Sequence, residues 1–270
     1  GSRGVERLVR RVGPDVVVSV YPLATEVLAG LRRRRRLAVP VVSAITDLAM
    51  MHYWAAPGID LHLVIHPDTI AEVREVAGVG ADVQVVHGLT RPEFTEPGDQ
   101  PAARAELRLP AAGKIVLVSG GGWGVGDLES AADEALALDV AVVACLCGRN
   151  EELRGRLERR YAAEPRVRVV GFTDQMSDWL AAADALIHST GGLTVLEAHV
   201  RGCPTISYGW GRGHIRVHNK AFRRFGFAEV AATRDELSTA LRSALASRPV
   251  TRFALDALPS ASSLVLALVT

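Results

Sequence analysis

Apolar residues in this chain fall into short continuous runs: Val16–Val20, Val41–Thr46, Leu61–Ile65, Val83–Val86, Ile115–Ser119, Val140–Cys145, Val167–Val170, Ala185–His188 and Thr205–Tyr208. Runs of this kind, without strict alternation, suit strands buried on both faces of a parallel sheet. Between them lie stretches with apolar positions at helical spacing, among them Thr25–Arg35, Asp68–Val76, Leu128–Leu138, Glu151–Tyr161, Thr194–Arg201 and Arg234–Ala246. The repetition predicts an α/β fold of parallel sheets joined by right-handed crossovers.

The length of 270 residues allows two domains. The most polar, proline-rich stretch, Arg91–Pro110, reads as the connection between them. It predicts one domain over 1–98 and a second over 99–270, with a last helix within Pro259–Val269 able to pack back on the first. The first domain opens with a helix, Val5–Val12, followed by Pro14-Asp15-Val16-Val17-Val18. With about four strands it reads as a sheet domain lacking its first βαβ unit.

Apolar residues make up 49% and charged residues 23%, the balance of a soluble globular chain. A net charge of +1 gives no general attraction to nucleic acid. The positive charge is nearly all arginine, since Lys114 and Lys220 are the only lysines. The cysteines Cys145, Cys147 and Cys203 are odd in number and form no CxxC. They predict neither a disulfide framework nor a metal centre, and they fit a reducing, cytoplasmic compartment. No apolar stretch reaches the ~18–20 residues of a membrane span.

Three segments carry chemistry. Ser119-Gly120-Gly121-Gly122-Trp123-Gly124-Val125-Gly126 follows a strand and precedes a helix. Its glycines let the backbone turn sharply and approach a ligand; its spacing is neither a dinucleotide fingerprint nor a P-loop. The alternative is a plain βα loop. His188-Ser189-Thr190-Gly191-Gly192-Leu193-Thr194-Val195-Leu196-Glu197 again joins strand to helix. It offers amides at a positive helix end to a diphosphate. Glu197, read in the first turn, can take a ribose diol, or can close a capping box with Thr194 at the N-cap. In Gly171-Phe172-Thr173-Asp174-Gln175-Met176, backbone groups can pair with a base edge and Phe172 can pack on it. Alternatively Phe172, Met176 and Trp179 are all core.

These segments occur in order with others: Pro14-Asp15-Val16-Val17-Val18-Ser19-Val20-Tyr21-Pro22, Ile45-Thr46-Asp47-Leu48, Pro57-Gly58-Ile59-Asp60, Gly88-Leu89-Thr90-Arg91-Pro92, Cys147-Gly148-Arg149-Asn150 and Arg201-Gly202-Cys203-Pro204. The ordered set resembles the monogalactosyldiacylglycerol synthase and processive diacylglycerol glycosyltransferase family. More distantly it resembles the N-acetylglucosaminyltransferase that forms lipid II. The resemblance implies a GT-B fold of two Rossmann-like domains and a UDP-sugar donor, with no metal or cofactor. By position it implies that Phe172, Thr173 and Met176 line the uracil site. Thr190, Gly191, Gly192, Leu193 and Thr194 hold the diphosphate, Glu197 holds the ribose, Gly121, Gly122 and Arg149 line the cleft, and Ser189 also belongs to the donor site.

The chain departs from the family pattern in three places. No glycine-rich, histidine-bearing loop precedes Pro14. The donor-sugar segment reads Gly213-His214-Ile215-Arg216-Val217-His218-Asn219, in which His214 and Asn219 are the candidates for sugar hydroxyls. The tryptophan expected after Thr-Asp is displaced, leaving Asp47, His52 and Trp54; Asp47 and His52 are the candidate bases. Met50, Met51, Tyr53 and Trp54 either face an acceptor or cap the core. His62, His66 and His199 read as structural. The run Arg32–Arg36 is either a solvated helix end or an attraction to an anionic membrane surface.

The expected chemistry is inverting transfer of a hexose from a UDP-sugar to a hydroxyl acceptor, lipid-linked by resemblance. The alternative is a non-catalytic or truncated nucleotide-sugar-binding chain. A UDP-sugar epimerase would require more acidic groups around the sugar pocket.

Overall fold

The computed structural model describes residues 1–269 other than Gly88, Thr95, Thr190, 210–212 and 247–257, and the backbone alone at 213–215. The chain divides into two compact units, Gly1–Pro92 with Ala254–Thr270, and Glu93–Phe253.

The first unit runs α1 (Ser2–Val12), β1 (Val17–Ser19), α2 (Pro22–Arg33), β2 (Val41–Ala44), α3 (Met51–Trp54), β3 (Leu61–Val64), α4 (Ile70–Ala77) and β4 (Val83–Val85). Its strands form a parallel sheet in the order β1-β2-β3-β4, with Val17 opposite Val41, Val42 opposite Leu61 and His62 opposite Val83. Asp60 stitches the lower edge: its carboxylate accepts from Val41 N at 2.8 Å and pairs with Arg32. The chain's last helix belongs to this unit. Leu264, Val265 and Leu268 pack on a cluster of Val42, Leu61, Leu63 and Val86, and His87 N donates to Pro259 O at 3.1 Å.

The second unit runs α5 (Gln100–Glu106), β5 (Ile115–Ser119), α6 (Leu128–Leu136), β6 (Val142–Leu146), α7 (Glu151–Arg160), β7 (Val167–Val170), α8 (Met176–Ala182), β8 (Ala185–His188), α9 (Gly192–Val200), β9 (Thr205–Tyr208), α10 (Gly213–Phe225), β10 (Glu229–Ala231) and α11 (Arg234–Ala246). The helix at the chain's C-terminal end, in the first unit, is α12 (Ala261–Leu266). The six strands are parallel in the order β10-β9-β8-β5-β6-β7. Alternate residues face opposite layers, as strand periodicity requires. Val116, Val118, Val143, Cys145 and Ile187 pack under α6, α7 and α11. Ile115, Leu117, Val142, Ala144 and Leu186 pack under α5 and α8. Each buried Leu, Ile or Val contributes roughly 1.5–3 kcal/mol, so this double-sided burial dominates the unit's stability.

The stretch Arg91–Pro110, read as a connection, is structured: a 3-10 turn, Pro92–Phe94, buries Phe94 in the second unit's core, and α5 follows. Asp99 caps the helix by accepting from Ala102 N at 3.1 Å. The buried Arg104 guanidinium reaches Ala182 O at 3.0 Å and Asp184 at 2.7 Å. Breaking such a buried pair leaves an uncompensated charge, so this polar stretch is tied firmly to the second unit. Among the described residues no helix is long and apolar enough to cross a membrane.

Candidate functional site

In a parallel sheet the C-terminal strand ends share one edge. In the second unit the order reverses beside β5: β6 and β7 lie to one side, β8 to β10 to the other. The loops after β5 and β8 therefore diverge at the point where open α/β sheets bind ligands.

The loops at this edge are fastened to one another through backbone. Gly122 O accepts from Arg149 N at 2.9 Å, joining the loops after β5 and β6, while within the first of them Ser119 Oγ accepts from Gly121 N at 3.2 Å. Two glycines make the approach possible. A Cβ on Gly148, where φ is 58°, would lie 2.5 Å from Gly121 O and Gly122 O. A Cβ on Gly126, where φ is 115°, would lie 2.4 Å from Ser189 Oγ. Asn150 caps α7, accepting from Leu153 N at 2.9 Å, and Asp127 caps α6, accepting from Ser130 N at 2.9 Å. Local capping rules thus fix where each loop ends.

His188 ends β8 fully buried, its Nδ1 3.1 Å from Ser119 O. A carbonyl only accepts, so Nδ1 carries the hydrogen. Burial pushes the imidazole pKa down to about 4, leaving the ring neutral. Ser189 N donates to Ser119 O at 3.3 Å, and the Ser189 side chain is buried beside Gly126. Thr190 lies outside the described residues. Gly191 is exposed and has no side chain to cap α9, which opens at the buried Gly192. Leu193 is partly exposed and Thr194 half-buried.

This start corrects two expectations. Thr194 is not the N-cap but the third residue of α9, and Glu197 lies in the second turn, half-buried. A capping box between them is ruled out by where the helix begins. Gly191-Gly192 starts the helix earlier than the Thr-x-x-Glu pattern implied.

The alternative reading, that Phe172, Met176 and Trp179 are all core, fails at Phe172. Trp179 is buried and Met176 packs partly against the same cluster, but Phe172 is 50% exposed. The Arg149 guanidinium lies 3.7 Å from the Phe172 ring centroid, a cation–π stack. Thr173 Oγ1 is engaged by Gln175 N at 3.1 Å, which shapes the turn into α8. The segment holding His214 and Asn219 opens α10. The His214 side chain lies outside the described residues. Asn219 is buried, and its Oδ1 accepts from Ser207 Oγ at 2.7 Å, so the oxygen ties α10 to β9.

In the first unit, Asp47 follows β2 and accepts from Trp54 Nε1 at 3.1 Å. His52 is exposed, with its ring centroid 4.1 Å from that of Tyr53. Met51 and Trp54 cap the core, whereas Tyr53 faces outward. His62 is buried on β3 and His199 is packed against Phe227, with burial lowering both pKa values. His66 turns its Nδ1 to Asp68 N at 3.2 Å. In the arginine run, Arg32 pairs with Asp60, Arg33 with Glu26 and Arg36 with Glu6. Arg34 and Arg35 are exposed and form no ion pair among the described residues. A cavity of about 460 Å³ beside Arg32, Arg33, Arg35 and Asp60 opens at the end of the sheet opposite Asp47.

Comparison with known proteins places this geometry. Residues 2–89 match the family described as monogalactosyldiacylglycerol (MGDG) synthase, and residues 122–246 match glycosyl transferases group 1. A processive diacylglycerol beta-glucosyltransferase of Bacillus licheniformis is 25% identical over 248 residues, 91% of this chain and 64% of that protein. The chain thus spans less than two thirds of that relative's length. Acinetobacter baumannii MurG has a TM-score of 0.65 at 19% identity over 99% of this chain and 76% of that one. The Anabaena protein Alr3699/HepE, solved with UDP and glucose, has a TM-score of 0.57 at 13% identity over 99% of this chain and 79% of that one. Topology and matches define the class: the chain has the two-sheet GT-B glycosyltransferase fold. Within that class it is similar to the monogalactosyldiacylglycerol synthase family over residues 2–89 and to processive diacylglycerol glucosyltransferases over most of its length, the resemblance that the motif order implied.

Proposed function

We propose that this chain binds a UDP-sugar in its second unit and takes part in inverting transfer of the hexose to a hydroxyl, on a lipid-linked acceptor. The observation that carries the reading is the uncapped start of α9 at Gly191-Gly192. It lies at the sheet's reversal beside the glycine turn after β5. Free amides and the helix dipole at that point suit a diphosphate and stabilise it as a leaving group.

In this reading the uracil lies against Phe172, with Thr173 and Met176 at its border. Ser189, Gly191, Gly192, Leu193 and Thr194 surround the diphosphate, and Glu197 accepts from the ribose hydroxyls. Arg149, with Gly121 and Gly122, borders the diphosphate and sugar. A base takes the acceptor proton, and the acceptor oxygen bonds to the anomeric carbon. The bond to UDP breaks, and UDP departs with the electron pair. Asp47 and His52 are the candidate bases of the first unit. Asp47 is held by the Trp54 indole, and His52 is the more open of the two. The Asn219 oxygen already accepts one hydrogen bond from Ser207, and in this reading its amide nitrogen is offered to a sugar hydroxyl. Attraction to an anionic surface rests on Arg34 and Arg35, because their neighbours are paired.

Calorimetry with UDP and a transfer assay with UDP-glucose or UDP-galactose and diacylglycerol vesicles test this. Saturable UDP binding with glycolipid formation is the expected result. UDP binding without turnover favours a nucleotide-sugar-binding chain completed by other segments. Absence of UDP binding removes the reading.

A further inference from the structure

Among the described residues Trp123 is the largest exposed side chain on the ligand edge of the second unit, 74% accessible. A lone surface aromatic needs no functional explanation by itself. Trp123 differs in how it is mounted. It ends a short 3-10 turn, Gly121–Trp123, whose geometry is closed by Gly124 N donating to Gly121 O at 3.1 Å. The carbonyl before it, on Gly122, accepts from Arg149 N at 2.9 Å, and its own carbonyl faces Asn150 Nδ2 at 3.5 Å. The turn is pinned to the loop after β6 on both sides of the tryptophan, and the indole is left in water. Core packing gains nothing from this ring.

The surroundings indicate what such a ring can meet. The turn stands at the sheet's reversal, next to the loop that opens α9. Phe172, a second exposed aromatic of this edge among the described residues, has one face covered by Arg149. An indole carried on a pinned backbone, with only two side-chain torsions left to fix, offers a flat, electron-rich face at limited entropic cost. A hexopyranose offers a matching face of polarised C–H bonds, which are weak donors to such a surface.

We infer that Trp123 is a carbohydrate-stacking subsite, a platform for a pyranose ring beside the diphosphate. The inference rests on the proposed nucleotide-sugar reading but extends it to a residue and a contact that reading does not use. The pyranose can be the hexose of the donor or a hexose already carried by an acceptor, and the ligands below separate the two.

The test uses the whole 270-residue chain. Wild type, Trp123→Leu and Trp123→Phe are titrated calorimetrically with UDP, UDP-glucose and methyl β-glucopyranoside, and thermal midpoints are recorded. Donor stacking predicts that Trp123→Leu weakens UDP-glucose roughly three- to tenfold while UDP stays within twofold. Acceptor stacking predicts the loss for the glucoside instead. In either case Trp123→Phe restores most of the binding and the thermal midpoint stays put. Unchanged binding of both sugars overturns the subsite, as does an equal loss for UDP or a fall in the midpoint of Trp123→Leu. If wild type fails to bind UDP, the nucleotide reading falls. The glucoside titration then still judges Trp123, and no glucoside binding by wild type overturns the subsite as well.

Discussion

The Arg149 guanidinium stacks on Phe172 with 3.7 Å from its centre to the ring centroid, so two adjacent loops share one flat surface. One face of the ring is covered by a cation and the residue remains half exposed. A base packing on the open side would meet a platform stiffened by its own counter-stack, worth ~0.5–1 kcal/mol at an exposed site. Phe172→Ala is expected to weaken uridine and UDP alike, roughly three- to tenfold, with little change in thermal midpoint. Arg149→Ala is expected to weaken UDP more than uridine, because the charge acts on the diphosphate. Calorimetry with both ligands checks the contrast; identical ratios for the two variants would remove the division of labour.

Glu197 sits one turn into α9, beyond the helix start proposed to hold the diphosphate. A carboxylate there suits two adjacent ribose hydroxyls, and charged hydrogen bonds of this kind contribute about 1.5–3 kcal/mol. Glu197→Ala is expected to weaken UDP by roughly 10- to 100-fold. The 2′-deoxy form of UDP gives the decisive comparison: it should bind wild type less well and lose little further in the variant. A full additional loss with the deoxy ligand would show that Glu197 acts through the fold and not on the ribose.

The sheets were readable because their strands are continuous Val, Ile and Leu runs covered on both faces. Ile115–Ser119 and Ala185–His188 lie where those runs placed them. The edge strand β10 escaped because Glu229-Val230-Ala231 is short and only partly buried. Helix α5 escaped because Pro101 and its polar neighbours resemble a linker, although Pro in a first helical turn with Asp at the N-cap is a regular helix start. In the site, clustered glycines after strands marked the loops. The stack of Arg149 on Phe172 and the anchoring of His188 on Ser119 left no such mark. Both depend on which strands become neighbours, and β5 and β8 meet across about seventy residues of chain.

Gly126 carries the close approach of the glycine turn to the α9 loop. Its φ of 115° disfavours any side chain, and an added Cβ would fall 2.4 Å from Ser189 Cβ and Oγ. Gly126→Ala must move one loop or the other. A loss of about 1–3 kcal/mol in stability is expected from backbone strain alone. UDP affinity should fall as well if Ser189 borders the diphosphate as proposed. Gly191→Ala is the control: nothing lies within 4 Å of a Cβ built there, and φ is −47°. It should fold normally. Equal stability of the two variants in urea would refute the contact as a structural constraint.

His188 gives the fold a predictable acid sensitivity. Its folded pKa is lowered to about 4, mainly by burial, against an ordinary value of 6.5. As pH falls below about 6.5 the unfolded chain takes up a proton that the folded chain refuses until about pH 4. The contribution is therefore fully present above that range and is lost on the way down. Its size is on the order of 3 kcal/mol at about 1.4 kcal/mol per pH unit. His62 and His199 are lowered in the same direction and add to the slope. Carboxylates titrate near the lower end of this window, so the informative quantity is a difference between variants. His188→Asn keeps a donor near the Nδ1 position for Ser119 O and cannot take the proton. Urea unfolding from pH 8 to pH 4 should show a flatter decline for that variant, by close to one proton, with the gap opening below pH 6.5. Parallel curves for wild type and variant would mean that His188 is charged in the folded protein or exposed to solvent, and the buried tie between β8 and Ser119 would have to be abandoned.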